Sequence, residues 1–340
     1  MSAIIAGNLQ TECASEPAKH PYLHLFNSEA NTRQALKIEE LLNLEFDTLL
    51  DLSRQAATRA LEINLPTIAA SPIIVTNFCT TDPMCRHCKW EHLKAIKRPS
   101  FDKDRPTTAL VNWAHALADK GIERAFFGTG WLGYRLPTTI LKKIEAVCTA
   151  EPRLEYYGLF GALDRQTHFD LAAAGLSGML TSLESPSERV YRSFRPGGDS
   201  LSDRLTALEF TREAGMKVWS GFLVGLGEDV HDVAFGLQLL GKIAPESVSI
   251  LPFEPFAETE MRDHPPTDSQ WLARVNAVAR LVLPPSTILF SDHYRDVDQR
   301  FGHAIGYNGS YQITPPAELI TPREQACSTD HKPAREGRKA

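Results

Sequence analysis

With 340 residues, 43% of them apolar, the chain is long enough to bury one large core, and a barrel of alternating strands and helices fits roughly 250 residues into a single domain. Its formal net charge of −6, with no basic tract apart from the short C-terminal end, argues against a surface that neutralises nucleic-acid phosphates. No apolar run approaches the roughly 20 residues that span a bilayer, and the opening MSAIIAGNLQTECASE has neither a basic nor a sustained apolar stretch, so a cytoplasmic protein with no membrane or nucleic-acid partner is expected.

Residues 1 to about 30 show no periodicity, and the final PREQACSTDHKPAREGRKA is polar and charged, so both ends are expected to be loose. From Ile38 to Leu61 the apolar residues recur at helical spacing, which predicts a helical lead-in that packs on the main domain. Short strand-like runs then alternate with longer helix-like ones. The strands read as 73–78, 123–128, 154–159, 178–183, 217–224, 247–252, 287–291 and 310–314, with helical patterns between them, several of which stop at a glycine: Gly121, Gly175 and Gly215. Strict alternation implies a parallel sheet with right-handed crossovers, and seven or eight such units predict an α/β fold, a closed (β/α)8 TIM-type barrel with an N-terminal helical extension. A doubly wound open sheet is the alternative, but no G-x-G-x-x-G stands between a first strand and its helix. The division expected is 1–70 for the tail and helical extension, 71–320 for the barrel and 321–340 for a flexible tail.

Six cysteines are too few for a disulfide scaffold in a chain this long, and three of them crowd into the ten residues from Cys79 to Cys88, directly after the first predicted strand. Thiolates of Cys79, Cys85 and Cys88, spaced C-x5-C-x2-C, can converge on a [4Fe-4S] cube and leave one iron open to an external chelating ligand. A structural zinc is the other metal such ligands take. It needs a fourth ligand, and the nearest offers are His87, between two of the cysteines, and Cys13 in the loose N-terminal segment. Cys148 follows Ile140, Leu141, Ile144 and Val147 at helical spacing and reads as a small core residue, while Cys327 lies in the C-terminal tail.

These cysteines resemble the cluster motif of the radical S-adenosylmethionine (SAM) superfamily, whose usual form is C-x3-C-x2-C with an aromatic residue before the last cysteine. Here the first gap has five residues and His87 fills the aromatic slot. The longer gap is similar to that of the HmdB family, radical SAM proteins associated with the [Fe]-hydrogenase and its iron-guanylylpyridinol cofactor. The resemblance runs over roughly residues 35 to 320, with biotin synthase and the maturase HydE as general neighbours. SGFLVGLGED is similar to the superfamily's G-x-I-x-G-x-x-E pattern as Gly221, Leu223, Gly225 and Glu228, which implies a part of the adenine pocket, with Gly225, Leu226 and His87 as cofactor contacts. In AFFGTGWLGY, the residues Gly128, Thr129 and Gly130 stand where the family has Gly-Gly-Glu, whose backbone carbonyls receive the SAM ammonium; the acidic residue is absent here. LTSLESPSERVYRSFRPGGDSLSDRLTALEFTREAG is similar to a HydE stretch. It implies that Glu184 accepts from ribose hydroxyls or the ammonium and that Arg204 grips the methionine carboxylate, where the helical pattern alone would give a solvated arginine and a strand-end carboxylate.

The implied chemistry is reductive cleavage of SAM to a 5′-deoxyadenosyl radical that takes hydrogen from a small-molecule substrate inside the barrel, with one [4Fe-4S] cluster, SAM, and an electron donor such as ferredoxin or flavodoxin. The leading expectation is a role in assembling the iron-guanylylpyridinol cofactor. Another biotin synthase- or HydE-like enzyme, and a non-catalytic cluster or cofactor carrier, are the alternatives. Where a biotin synthase-like strand would read Lys-Val-Cys-Ser-Gly, this chain has Trp219 in place of the cysteine, which implies that no second cluster sits deep in the barrel. Tyr157, Thr181 and Phe222 are possible substrate contacts, each as apt on a period-two pattern to face the helices instead.

Overall fold

The computed structural model describes residues 29–62, 67–76, 78–88, 105–291 and 296–312. The two terminal tails, with Cys13 and Cys327, lie outside the described residues. Two helices come first, α1 (Glu29–Leu42) and α2 (Phe46–Glu62). Then follow β1 (Ile68–Ile74), α3 (Thr107–Asp119), β2 (Arg124–Gly128), α4 (Thr138–Ala150), β3 (Glu155–Leu159), α5 (Arg165–Ala173), β4 (Gly178–Leu180), α6 (Glu188–Phe194) and α7 (Leu201–Glu213). The second half runs β5 (Lys217–Val224), α8 (Val230–Ile243), β6 (Ser247–Pro252), α9 (Ser269–Val282), β7 (Ile288–Ser291), α10 (Asp296–Ile305) and β8 (Gly309–Tyr311). The strands are parallel throughout and ordered β1 to β8, and β8 pairs with β1 to close the barrel. The (β/α)8 expectation holds.

Several helices start where side chains satisfy their orphan N–H groups, while α3 and α4 follow a proline with no side-chain cap. Asp164 accepts from the Thr167 N–H, and Ser200 with Asp203, and Asp229 with Asp232, form reciprocal capping boxes at α7 and α8. The predicted lead-in is two helices rather than one, broken at Asn43, whose side chain bonds back to the Glu39 carbonyl. Ile38, Leu42, Leu49 and Leu50 bury against Leu237 and Leu240 of α8, Ala277 of α9 and Ala304 of α10, so this extension covers one flank of the helical layer.

Strand boundaries match the sequence pattern at β5 and β6 and differ most at β1, which begins five residues before the predicted 73–78. Small residues and Pro72 hide it. Proline has no N–H to give a ladder, but β8 pairs with β1 only at residues 68–70, so at Pro72 the strand has a strand neighbour on the β2 side alone. The regular part of β4 stops at Leu180 instead of residue 183, although the Thr181 and Leu183 N–H groups still donate to Trp219 and Gly221 carbonyls.

Alternation sends even and odd positions to opposite sides of the barrel wall. Ile73, Phe127, Met179, Phe222 and Val248 face the helices, whereas Ala70, Phe126, Tyr157, Leu180, Trp219 and Phe290 fill the interior. Of the three possible substrate contacts, Tyr157 therefore points inward, and Phe222, with Thr181 by the same alternation, points outward. Trp219 is fully buried, stacks on Phe290 at 4.1 Å and donates its indole N–H to Ser249 Oγ at 2.8 Å, which in turn meets the Tyr311 hydroxyl at 2.6 Å. Beneath this layer the Arg124 guanidinium lies 4.4 Å from the Tyr157 ring and pairs with Glu155. The lower barrel is thus solid, and Trp219 occupies its interior. Cys148 sits on the outer side, on α4 against Gly175.

Candidate active site

The three cysteines lie in the loop after β1, at the C-terminal mouth where a barrel carries its chemistry. Cys85 is buried, and Cys79 and Cys88 are half-buried. The loop is tied down on two sides. Thr80 donates its N–H to the Trp131 carbonyl at 2.7 Å, in the loop after β2, and Arg86 donates its N–H to the Phe194 carbonyl at 2.8 Å, at the end of α6. Gly130 explains the first tie: a Cβ there would stand 2.4 Å from the Phe78 carbonyl oxygen and 2.5 Å from Cys79 Cβ. The Gly128-Thr129-Gly130 segment is therefore pressed directly on the cysteine loop, and the Thr129 hydroxyl donates to the Gly130 carbonyl at 2.6 Å. Gly197 does the same from the other side, with room for no Cβ beside the Pro83 carbonyl.

Burial pushes the Cys85 thiol up to about 11, against the pull of the Arg195 charge and with Cys88 and Cys79 adding to the rise. The three thiols are thus electrostatic neighbours, and a metal that binds Cys85 must displace its proton. Among the described residues no three ligating side chains lie close enough to share a single metal ion. A zinc requires all its ligands about 2.3 Å or less from one point, whereas a cube is held at three separate corners, one thiolate to each iron. Three thiols on one loop are the donor set that such a cube takes. The His87 ring packs edge-on against Phe194 at 4.9 Å, and burial holds its pKa below the usual value.

Glu184 stands four residues past the end of β4 in a left-handed conformation, with φ at 60°, a strained placement for a residue with a side chain. The surroundings hold it there: its N–H donates to Ser182 Oγ at 3.0 Å and its carbonyl accepts from Leu223 N–H at 2.8 Å. Arg204, on α7, is only 3% exposed rather than solvated. Its guanidinium donates to Glu184 Oε1 at 2.9 Å, the Ser182 carbonyl at 2.6 Å and the Tyr191 hydroxyl at 3.0 Å, and it pairs with Asp199 at 3.0 Å. Burial raises the Glu184 carboxyl, but the Arg204 and Arg195 charges outweigh that and keep it below the ordinary range. Glu184 and Arg204 are brought together. Arg204 sets where the Glu184 carboxylate points.

Sequence reasoning missed the other half of this network. Asp199 is fully buried and accepts from the Tyr191 hydroxyl, the Ala162 N–H and Arg195 Nη2. The only signal was the R-P-G-G-D turn, whose Pro-Gly-Gly marks a tight connection followed by an acid. Burial opposes the Asp199 charge, yet Arg204 and Arg195 hold its pKa down to about 2 from an ordinary 3.8. A carboxyl depressed by folding stabilises the fold fully above its unfolded pKa and loses that contribution as pH falls through its folded one. Asp199→Asn is therefore expected to cost on the order of 2 kcal/mol or more at pH 7, and the gap from the parent protein should close between about pH 4 and pH 2. Urea denaturation across that range checks it, and a gap that stays constant would contradict it.

The β5 segment has two parts. Gly221, at φ 152°, is required because a Cβ would fall 1.8 Å from the Ser249 carbonyl oxygen, so its smallness serves the approach of β5 to β6. At the strand end, the Glu228 carboxylate accepts from the Gly225 and Leu226 N–H groups and closes the turn. Leu226 packs with Val190, Phe194 and Phe253, and Phe194 carries the His87 ring, so Gly225, Leu226 and His87 belong to one wall of the mouth.

The sequence profile described as the radical SAM superfamily matches residues 73–239, from β1 to α8. The biotin synthase of Acinetobacter calcoaceticus is 30% identical over 295 residues, covering 82% of this chain and 83% of that protein. The biotin synthase of Allorhizobium ampelinum is 29% identical over 270 residues, covering 76% and 80%. Among solved structures, methylornithine synthase (PylB) superposes with a TM-score of 0.70 at 19% identity, covering 83% of each chain. The [FeFe]-hydrogenase maturase HydG from Carboxydothermus hydrogenoformans superposes with a TM-score of 0.64 at 18% identity, covering 85% of this chain and 73% of that one. These structural likenesses bear on the fold alone. No helix among the described residues is long and apolar enough to cross a membrane. The sequence match and the cysteine loop at the mouth of a closed parallel barrel place this chain in the radical SAM superfamily, as an enzyme whose cofactors are a [4Fe-4S] cluster and SAM.

Proposed function

We propose that this radical SAM enzyme acts in the biosynthesis of the [Fe]-hydrogenase iron-guanylylpyridinol cofactor. The observation that carries the reading is the C-x5-C-x2-C spacing of Cys79, Cys85 and Cys88, which is similar to that of the HmdB family. Trp219 supports it from a second direction, because an indole fills the interior where a biotin synthase-like strand would offer a thiolate. When bound, the cluster and SAM supply the electron and the 5′-deoxyadenosyl radical that abstracts hydrogen from substrate. The chain's own residues hold and orient. Cys79, Cys85 and Cys88 ligate three irons, and the Gly128–Gly130 carbonyls receive the SAM ammonium. Glu184, aimed by Arg204, takes the ribose hydroxyls or the ammonium, and Arg204 is the partner for the methionine carboxylate. His87, Gly225 and Leu226 bound the adenine. The solid lower barrel confines the reacting carbon to the mouth side.

The test is an anaerobic assay of reconstituted protein with SAM, a strong reductant and small-molecule extracts of cells that make the iron-guanylylpyridinol cofactor. We expect 5′-deoxyadenosine formation to rise with those extracts and a pyridinol-containing product to appear. Biotin formation in a parallel assay, or 5′-deoxyadenosine release that no such extract stimulates, would overturn this reading while leaving the family unaffected.

A further inference from the structure

Arg195 is 7% exposed, and its Nε is buried with no hydrogen-bond partner in the protein. Such an orphan donor on a charged side chain is costly unless something else receives it. The rest of the guanidinium is fixed: Nη2 donates to Asp199, and the ring of Tyr191 lies 5.5 Å from its centre. The residue stands at the end of α6, in the same turn that is strapped along the cysteine loop. Phe194, just before it, accepts the Arg86 N–H and carries the His87 ring, and Gly197, just after it, closes on Asp82 and Pro83. These two contacts, at Asp82 and Pro83 and at Arg86, bracket Cys85 in the loop.

We propose that Arg195 is a positioning and tuning residue for the cluster, its Nε–H donating to the Cys85 thiolate or an adjacent cluster sulfide and its charge favouring the reduced state. A cation and a hydrogen bond to sulfur both stabilise the extra electron, and net charge and hydrogen bonds to the sulfurs are among the factors that set cluster potentials. Asp199 opposes this by partly neutralising Arg195. The arrangement gives the chain an electrostatic control over how easily an external donor reduces the cluster, whatever the substrate.

The measurement is the one-electron midpoint potential of the reconstituted, iron-replete protein by redox titration followed by electron paramagnetic resonance, without SAM. Arg195→Gln should lower the reduction equilibrium constant at least tenfold, about 59 mV. Arg195→Lys, which keeps the charge but not the Nε–H, should fall in the same direction by less. Asp199→Asn should shift the potential the opposite way, and it keeps the proposal testable if Arg195→Gln does not fold. Unchanged potentials in iron-replete Arg195→Lys and Asp199→Asn would overturn it. So would a parent-like potential in Arg195→Gln accompanied by a tenfold loss of SAM binding, which would make SAM the group that receives the orphan donor.

Discussion

Anaerobic reconstitution is expected to load about four irons and four sulfides per chain, and Cys79→Ala, Cys85→Ala or Cys88→Ala to abolish SAM cleavage, since a cube that has lost one of three thiolates is left on two. The described part of the loop carries no spare thiolate: His87 is buried against Phe194, Met84 offers only a neutral thioether, and Thr81 meets Cys79 Sγ through a hydroxyl at 3.3 Å. The triple variant should show no bound cluster, because the barrel interior at the level of Trp219 is packed with aromatic rings and Cys148 lies outside the wall. Iron and sulfide analysis, the visible absorbance and 5′-deoxyadenosine release read this together. Tightly bound zinc with no iron-dependent absorbance would sink the cluster assignment, and well above four irons per chain would sink the single cluster. Oxygen should bleach the absorbance, because the iron without a thiolate is open to attack.

The barrel was legible because its strands alternate with amphipathic helices at regular intervals, and KVWSGFLV and SVSILP matched β5 and β6 to the residue. β1 was not, because its first residues are small and Pro72 reads as a break unless one knows that β8 stops pairing below it. Inward or outward direction was not legible either. Tyr157, Thr181 and Phe222 looked alike on a period of two, and only the closed register sent the first inward and the others to the helices.

At the site, the cysteines and the small residues after β2 could be read locally, but the reason for Gly130 could not. It is a contact with Phe78 and Cys79, fifty residues earlier in the chain, and no local pattern encodes it. Arg204 shows the same limit more sharply. On α7 alone it is an ordinary helical arginine, and it becomes a buried hub only when the α6–α7 turn delivers Tyr191, Arg195 and Asp199 against the end of β4.

That hub sets the second large effect. Arg204→Ala leaves the buried Asp199 carboxylate with Arg195 as its remaining cation and removes the bond that aims Glu184; breaking a buried pair from one side costs about 3–5 kcal/mol, and with Arg195 still in place the lower end of that range applies. The variant is therefore expected to lose that much stability in urea. In whatever fraction stays folded and iron-replete, SAM should bind at least about tenfold more weakly, the loss of a charge-assisted bond of about 1.5–3 kcal/mol. Tyr191→Phe separates the two consequences: it deletes only a hydroxyl shared by Asp199 and Arg204, so it should cost about 1–2 kcal/mol in stability and leave Glu184 paired to Arg204. SAM affinity should then stay near the parent value, as measured by equilibrium dialysis of the reconstituted proteins. Parent-like SAM binding by folded Arg204→Ala would remove both Arg204 and the Glu184 orientation from the cofactor site. Equal losses of SAM affinity in Arg204→Ala and Tyr191→Phe would instead make the network's rigidity, rather than the direction of the Glu184 carboxylate, what SAM binding depends on.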